Sequence, residues 1–380
     1  MTFIMVTTDS ELEACCIALA DSTFLALDTE FLREKTYYSK LALIQIANET
    51  LTYIIDPLAV DNLDKFFDLI NQQHITKVLH SASQDYEIFY NLQGKLPKPI
   101  FDTQVAASLL GYGEQIGYAN LVKSLLDIDV DKSQTRTDWT RRPLNQKQLA
   151  YAASDVIYLA QLYPLMLQKL TELNRADWLN DDFKQLTENS TYQVNQREMW
   201  KKIKSANRLP ARKLSIVQEL ADWRETQAIQ RNIPRKRAMS DDVIIDIANQ
   251  QPNTIEQLRE IRQINPRLSE QQLTQLLQCI ETGINKPEAD WPRFARKQKP
   301  STEQAAIVDI LSAIVQLKAA ENQISPAFIC SKKDLVKLVC GDSDSHLYQG
   351  WRKNLVGEAI KQFLSGQSNL HLSDNKLLLD

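Results

Sequence analysis

Strand and helix patterns alternate over the first 160 residues of this chain, whereas the residues after about 205 show helical patterns alone. Short apolar runs predict strands at 3–6, 24–28, 41–47, 51–55 and 77–80. The third and fourth runs are separated by Asn48-Glu49-Thr50, which is typical of a hairpin turn. An antiparallel pair within a strand–helix alternation predicts a mixed sheet covered by helices, and therefore an α/β domain.

The length of 380 residues indicates more than one domain. We predict an α/β domain over residues 1–200, followed by two small helical bundles over 205–285 and 295–380. The segment 285–292 contains Pro287 and Pro292 and is typical of a linker between the two bundles.

The helical part contains an internal repeat. A shift of 91 residues superposes Ile216 on Ile307, Leu220 on Leu311, Ile233 on Ile324 and Ser240 on Ser331. Each copy consists of an apolar helix, a polar loop and a second helix that begins after a serine, a residue that favours helix N-termini. The matched order favours a duplication over a chance resemblance between amphipathic helices.

Composition excludes several classes of protein. Apolar runs shorter than the roughly 18 residues that a membrane span needs argue against a membrane protein. The N-terminus shows no export signal, so we expect a cytoplasmic protein. The five cysteines form no C-x-x-C pair and the four histidines show no zinc spacing. The cysteines are therefore expected to be reduced and structural.

The net charge of −4 conceals an asymmetry between the two halves of the chain. Residues 1–200 carry 17 Lys and Arg against 27 Asp and Glu, whereas residues 201–380 carry 27 against 21. This distribution suggests a carboxylate-rich site in the first half and an anion-binding surface in the second. The strongest basic stretch lies between Lys201 and Arg237.

Two carboxylates, Asp28 and Glu30, end the strand predicted in Phe24-Leu-Ala-Leu-Asp-Thr-Glu-Phe31. Because side chains alternate along a strand, both should lie on one face. Two neighbouring carboxylates repel each other, and burying either is costly unless a cation compensates. Ligation by oxygen atoms alone suits Mg²⁺ or Mn²⁺ rather than zinc.

Further acidic residues follow at element ends. Asp85 comes just after the strand 77–80, where α/β sheets place functional residues. Asn145 and Gln148 have the spacing of a capping box, which predicts a helix beginning at 146. On that helix Tyr151 and Asp155 are four residues apart and share a face.

The ordered set of Asp28, Glu30, Asp85, Tyr151 and Asp155 resembles the tyrosine-containing branch of the DEDD exonuclease superfamily. Asp28-Thr-Glu-Phe31 with Thr36-Tyr37, and Trp139-Thr-Arg-Arg-Pro-Leu144 before Tyr151-Ala-Ala-Ser-Asp155, look like signatures of its ribonuclease D family. The two helical repeats are similar to the paired HRDC modules (helicase and ribonuclease D C-terminal) of that family. The likeness covers nearly the whole chain.

This resemblance implies a ribonuclease H-like mixed sheet and a 3′→5′ exoribonuclease that trims RNA 3′ ends, among them transfer-RNA precursors. It implies two divalent metal ions, Mg²⁺ or Mn²⁺, held by Asp28, Glu30, Asp85 and Asp155, with release of nucleoside 5′-monophosphates. Tyr151 would orient the attacking water or receive its proton. No membrane and no obligate protein partner are implied.

Substrate contacts are predicted from residue type and position. Phe31 could stack on a terminal base, His80 could contact substrate, and Arg136 and Arg142 could hold phosphates. Alternatively, Phe31 and His80 could be buried core residues, and the two arginines could lie on the solvated surface. We expect the helical part to bind long structured RNA and the first domain to retain its chemistry on short oligonucleotides alone. An exonuclease acting on DNA and a non-catalytic RNA-binding scaffold remain the alternative functions.

Overall fold

The computed structural model describes residues 2–131, 133–134, 137–295 and 299–380. Within these ranges six strands form one mixed sheet: β1 Ile4–Val6, β2 Phe24–Leu32, β3 Lys40–Ala47, β4 Thr52–Ile55, β5 Thr76–Leu79 and β6 Ile100–Asp102. Their order is β1-β4-β3-β2-β5-β6. β3 and β4 are antiparallel, with Ile44 opposite Ile55, whereas β1–β4, β2–β5 and β5–β6 pair in parallel. The predicted mixed sheet and hairpin are confirmed.

The central strands consist of nearly continuous apolar residues because they are covered on both faces. Residues 24–27 of β2 and 41–47 of β3 are all buried, the pattern of a sheet packed between helices. β2 extends to Leu32, four residues beyond the predicted end, and thus includes Glu30. β6 was not predicted, since three residues are too short to show a periodicity.

Helices flank this sheet: α1 Asp9–Leu19, α2 Asp64–Ile70, α3 Ser83–Gln93, α4 Thr103–Leu109, α5 Tyr118–Leu126, α6 Gln146–Glu172, α7 Leu179–Leu186 and α8 Asn189–Tyr192. α6 begins at the predicted capping box, in which Asn145 and Gln148 each accept a hydrogen bond from the other's backbone N–H, at 3.0 and 2.8 Å. The helix continues through Pro164 and buries one apolar face along its length.

Residues 193–295 and the segment Phe31–Lys40 form one compact unit. Its helices are α9 Ala211–Gln230, α10 Arg235–Ala238, α11 Asp241–Gln250, α12 Ile255–Glu260 and α13 Glu270–Asn285. Buried apolar residues of α9, α11 and α13 make its core. Gly283 of α13 lies so close to α9 that a Cβ atom there would come within 2.6 Å of the Ile216 Cα. The close packing of these two helices therefore requires glycine.

The C-terminal segment belongs to the same compact unit as the sheet. Its helices are α14 Thr302–Glu321, α15 Pro326–Ile329, α16 Lys332–Val339, α17 Gly350–Arg352 and α18 Glu358–Leu364. Buried residues of α14, α16 and α18 share one apolar core with residues of the sheet and of α6. The Arg175 guanidinium joins the two parts, because it donates to the carbonyls of Leu109 and Asn322, each at 2.7 Å.

The helix bounds reproduce the sequence repeat. α9 and α14 have 20 residues each and begin 91 residues apart, and α10 and α15 repeat with the same shift. Ser240 and Ser331 are the N-cap residues of α11 and α16, as the pattern predicted. Within the described residues, none of the helices has both the length and the apolar character needed to cross a membrane.

The prediction that the chain is wholly helical after residue 205 is wrong at its end. β7 Leu370–Ser373 and β8 Lys376–Leu379 form an antiparallel hairpin. Asp374 and Asn375 make its two-residue turn with φ of 48° and 62°, a conformation that Asp and Asn tolerate and hairpins favour. The apolar runs on either side were too short and too exposed to indicate strands.

Candidate active site

The end of β2 brings two carboxylates to one place. Asp28 and Glu30 are separated by one residue of an extended strand and therefore share a face. An oxygen atom from each, together with one from Asp155, forms a group in which the atoms lie within 4.8 Å of one another. Residues that are 125 positions apart in the chain thus meet at one point.

α6 supplies the helical side of this group. Tyr151 and Asp155 are one turn apart and both line the same cleft as Asp28 and Glu30. Ala152 and Ala153 are fully buried beside them, so the helix packs closely against its neighbours. The buried ring of Trp139 lies 6.0 Å from the Tyr151 ring, between centroids, and fixes the orientation of the phenol.

Asp85 adjoins the group through Thr29. It is the third residue of α3 and is buried. The Thr29 hydroxyl, on the strand between Asp28 and Glu30, donates a hydrogen bond to the Asp85 carboxylate. The start of α3 is itself held by Asp102, which accepts from the backbone N–H groups of Ser81 and Ala82 at 3.1 and 2.8 Å. The position of Asp85 is therefore set by residues of two strands, Thr29 of β2 and Asp102 of β6.

Burial and mutual repulsion disfavour negative charge in this group. Burial, reinforced by Asp155, Asp85 and Glu30, raises the pKa of Asp28 well above its ordinary value. Burial, followed by the charges of Asp155 and Asp85, raises the pKa of Glu30 to about 8. Burial also raises the pKa of Asp85 and of Asp155 to about 7, in Asp85 against the opposing effect of the Thr29 hydrogen bond. A bound cation would remove both penalties.

The cleft around these carboxylates has a volume of about 250 Å³. Its walls include three residues that the sequence did not indicate as site residues, namely Thr29, Tyr118 and Leu159. The Tyr118 hydroxyl donates to the backbone carbonyls of Ser154, at 3.1 Å, and of Asp155. It thereby fixes α6 at the residue whose carboxylate joins the acidic group. The spacing of Tyr118 from the other motifs gave no signal for this role.

His80 lines the cleft, as its predicted contact with substrate requires. Its ring nitrogens already have protein partners: Nδ1 lies 2.9 Å from the Thr103 hydroxyl, and Nε2 lies 3.0 Å from the Ile116 carbonyl. Its ring contacts the edge of Tyr118, at 5.5 Å between centroids. Burial lowers the pKa of His80, so a neutral imidazole that packs in the cleft wall is favoured.

The other predicted substrate contacts have different positions. Arg142 makes a bidentate ion pair with Asp56, at 2.5 and 2.7 Å, and donates to the carbonyls of Trp139 and Ala42. The structure therefore does not bring it into the cleft. Phe31 follows Glu30 on β2 and is half-buried, and its stacking on a base stays a prediction. Arg136 lies outside the described residues.

The donor set fits a hard divalent cation. The group of Asp28, Glu30 and Asp155 offers carboxylate oxygens and neither His nor Cys, which suits Mg²⁺, Mn²⁺ or Ca²⁺ rather than zinc. Asp85 adds a fourth carboxylate next to the same strand. The arrangement can hold cations against an anionic substrate such as a phosphodiester.

Comparisons with known proteins identify the families that this chain resembles. Residues 3–171 match a family model described as 3′-5′ exonuclease, and residues 213–280 match the HRDC domain. Ribonuclease D of Bartonella henselae is 36% identical over 98% of this chain and 93% of its own length. Ribonuclease D of Jannaschia sp. is 34% identical, and the alignment covers 98% of both chains.

A solved structure shares the whole architecture. Escherichia coli RNase D, described as an exoribonuclease involved in structured RNA processing, superposes with a TM-score of 0.82 at 28% identity. The match covers 96% of this chain and 99% of that one. The similarity thus extends over the sheet and over the helical regions alike.

Proposed function

This chain belongs to the ribonuclease D family, and from that membership and the acidic cleft we infer that it is a 3′→5′ exoribonuclease. The observation that carries this function is the meeting of Asp28, Glu30 and Asp155 within 4.8 Å in a cleft that Tyr151 also lines. The function requires the chain to hydrolyse phosphodiesters from an RNA 3′ end. Nucleoside 5′-monophosphates are the proposed products.

We propose that one divalent cation is bound by Asp28, Glu30 and Asp155. A second cation would be held by Asp85 and Asp28. Mg²⁺ or Mn²⁺ fits these carboxylate donors. When bound, such a pair would stabilise the charge that develops on the attacked phosphate and on the leaving oxygen. Other residues hold two of these carboxylates in place. Thr29 orients Asp85, and Tyr118 fixes the backbone of Asp155.

Tyr151 is the proposed positioning group for the attacking water. A phenol with a pKa near 10 is a weak base at neutral pH, so orientation through a hydrogen bond is favoured over proton abstraction. We expect Tyr151→Phe, which keeps the ring against Trp139, to lower kcat on RNA by about 100-fold, the low end of the effect of a positioned proton-transfer group. KM should change little, because the ring and the carboxylates remain.

Steady-state kinetics on a single-stranded RNA oligonucleotide measure the effects on kcat and on KM separately. Trp139→Phe serves as the companion variant, since it loosens the packing behind Tyr151 while leaving the hydroxyl in place. Its loss should be smaller than that of Tyr151→Phe. Equal kcat values for Tyr151→Phe and the wild type would contradict the proposed role of Tyr151 in positioning the water.

The helical regions are the proposed RNA-binding parts of the chain. Exposed cations lie along the first of them: Lys201, Lys202, Lys204, Arg208, Arg212, Arg231, Lys236 and Arg237. Such a surface binds phosphate backbones without reading sequence. The repeat of 91 residues in the helix bounds supports a second HRDC module in the C-terminal helices. Structured RNAs with single-stranded 3′ ends, among them transfer-RNA precursors in the cytoplasm, are the proposed substrates.

A time course on matched RNA and DNA oligonucleotides, each labelled at either end, tests the function. We expect a ladder that shortens from the 3′ end of the RNA, slower loss of the DNA, and complete inhibition by EDTA that Mg²⁺ or Mn²⁺ reverses. Faster degradation of the DNA would indicate the alternative exonuclease. RNA binding without any degradation in the presence of either cation would indicate a scaffold instead.

A further inference from the structure

The chain between β2 and β3 belongs to the helical unit, although both strands belong to the sheet. Residues 33–39, which we name the strap, connect Leu32 at the end of β2 with Lys40 at the start of β3. The segment Phe31–Lys40 groups with residues 193–295. The strap is therefore the continuation of the strand that carries Asp28 and Glu30.

Asn232, just after α9, holds the backbone of the strap. Its side-chain Oδ1 accepts hydrogen bonds from the N–H groups of Tyr37 and Tyr38, at 3.0 and 3.2 Å. Asn232 has a φ of 45°, a backbone conformation that Asn, Asp and Gly tolerate better than other residues. One exposed side chain thus satisfies two consecutive backbone donors of the strap.

The Tyr37 side chain enters a charged site in the helical unit. Its hydroxyl donates to the carboxylate of Glu225, which is fully buried in α9. Arg235 Nε lies 2.7 and 2.6 Å from the two oxygens of that carboxylate, and the other end of its guanidinium donates to the Tyr37 hydroxyl at 3.1 Å. The Arg235 guanidinium also covers the Tyr37 ring, 5.1 Å from its centroid.

This site has the properties of a specific anchor. A buried carboxylate is costly unless hydrogen bonds and an opposite charge satisfy it, and Tyr37 provides one of those bonds. Loss of the strap would leave Glu225 with an unfilled acceptor position inside the unit. Because two independent contacts, through Asn232 and through Glu225 with Arg235, hold two adjacent residues, the strap has little freedom to move.

We propose that Asn232, Glu225 and Arg235 are positioning residues for the exonuclease reaction, which act by holding the strap and, through it, the end of β2 where Glu30 lies. The inference rests on the proposed function. Glu30 and Leu32 are two residues apart on one strand, so a fixed strap restricts the strand that presents Glu30. A displacement of about 1 Å in a reacting group can lower a rate by about 100-fold.

This role differs from the one expected from sequence. A helical domain that only binds RNA could be altered without effect on short oligonucleotides. An anchor for the strap affects the chemistry on every substrate, including RNA too short to reach the basic surface. The effect must then appear in kcat.

The test uses single substitutions in the full chain. Asn232→Gly removes both acceptor contacts and keeps the backbone conformation, whereas Asn232→Asp keeps an acceptor oxygen. Tyr37→Phe removes the hydroxyl from the strap side and leaves the pair of Glu225 and Arg235 intact. Gln251→Gly is the matched control, because Gln251 directly follows α11 of the same unit and has a φ of 51°.

Hydrogen exchange followed by mass spectrometry measures the strap directly. Peptides covering residues 28–40 should exchange about tenfold faster at Tyr37 and Tyr38 in Asn232→Gly, the loss corresponding to one or two hydrogen bonds. Kinetics on a short single-stranded RNA should show kcat and kcat/KM lowered equally, by about tenfold, in Asn232→Gly and in Tyr37→Phe. Asn232→Asp should restore both, and Gln251→Gly should leave both unchanged.

The outcomes are distinguishable. A strap that exchanges faster while kcat stays at the wild-type value overturns the positioning role. A strap that exchanges at the wild-type rate in Asn232→Gly overturns the anchor. Wild-type protein that degrades no RNA overturns the proposed function, and the positioning role with it. An equal fall in kcat with Gln251→Gly would show a general loss of stability in the helical unit and would also overturn the inference.

Discussion

Replacing Asp28 with Asn is expected to lower exoribonuclease activity by about 10³-fold or more while the protein remains folded. A correctly held metal ion supplies several kcal/mol of charge stabilisation in the transition state, and each 1.4 kcal/mol corresponds to a factor of ten in rate. Asn has the shape of Asp but lacks its charge, so the group of three carboxylates loses one of its negative charges. End-labelled RNA with saturating Mg²⁺ or Mn²⁺ measures the loss.

The same substitution should leave stability unchanged or increase it when EDTA is present. The pKa of Asp28 in the folded protein is raised well above its ordinary value of 3.8, mainly by burial. Its ionised form therefore destabilises the fold, by an amount that is absent below pH 3.8 and grows as the pH rises toward the folded-state pKa. Asn removes this cost, so the difference in Tm should favour Asp28→Asn at neutral pH and vanish in acid.

Asp129→Asn provides the control for loss of a carboxylate. Asp129 is exposed and pairs with Lys123 at 3.0 Å, an ion pair of a kind that contributes little to stability. This variant should retain wild-type activity and Tm. Turnover of Asp28→Asn near the wild-type rate, under conditions where the control is also active, would contradict the assignment of the acidic group as the active site.

Local patterns predicted the parts of the fold and the site that depend on one element. The spacing of Asp28 and Glu30 determines that they share a face, whatever the sheet order. The capping box at Asn145 and Gln148 determines where α6 begins, and the helix period then places Tyr151 and Asp155 together. These features follow from backbone geometry, so they could be predicted from the sequence alone.

Features that depend on packing between elements could not be predicted from the sequence. Tyr118 reaches the carbonyl of Asp155 because α5 packs on α6, and no spacing in the sequence records that contact. Arg142 carries a charge typical of phosphate binding, yet its guanidinium forms an ion pair with Asp56, 86 residues away. The strap residue Tyr37 pairs with Glu225, 188 residues away. In each case the partner is distant in sequence.

The C-terminal helices are joined to the sheet-containing part by a stack of aromatic rings. Trp351, which is 5% exposed, lies parallel to Trp178 with 5.1 Å between centroids and an angle of 1°. Phe328 also stacks on Trp351, with 5.9 Å between ring centroids. The Arg352 guanidinium lies 4.2 Å from the centre of the Trp351 ring. Trp178 precedes α7, so the stack crosses from the first 192 residues to the C-terminal segment.

Trp351→Ala is therefore expected to destabilise this unit by about 3–5 kcal/mol, the range for removing a buried aromatic side chain. The apparent Tm of the corresponding transition should fall by about 6 °C or more, and limited proteolysis should release the C-terminal segment sooner than in the wild type. Both can be measured without substrate. Activity on short RNA is a separate readout, since Trp351 does not line the acidic cleft.

Trp351→Phe separates ring stacking from other effects of the substitution. The Trp351 Nε1 is buried and has no hydrogen-bond partner among the described residues, so Phe removes an unpaired donor while it keeps an aromatic ring in the stack. The expected cost is below about 1.5 kcal/mol, as for other substitutions that largely conserve volume. A loss with Phe as large as the loss with Ala would contradict stabilisation of the junction by ring stacking.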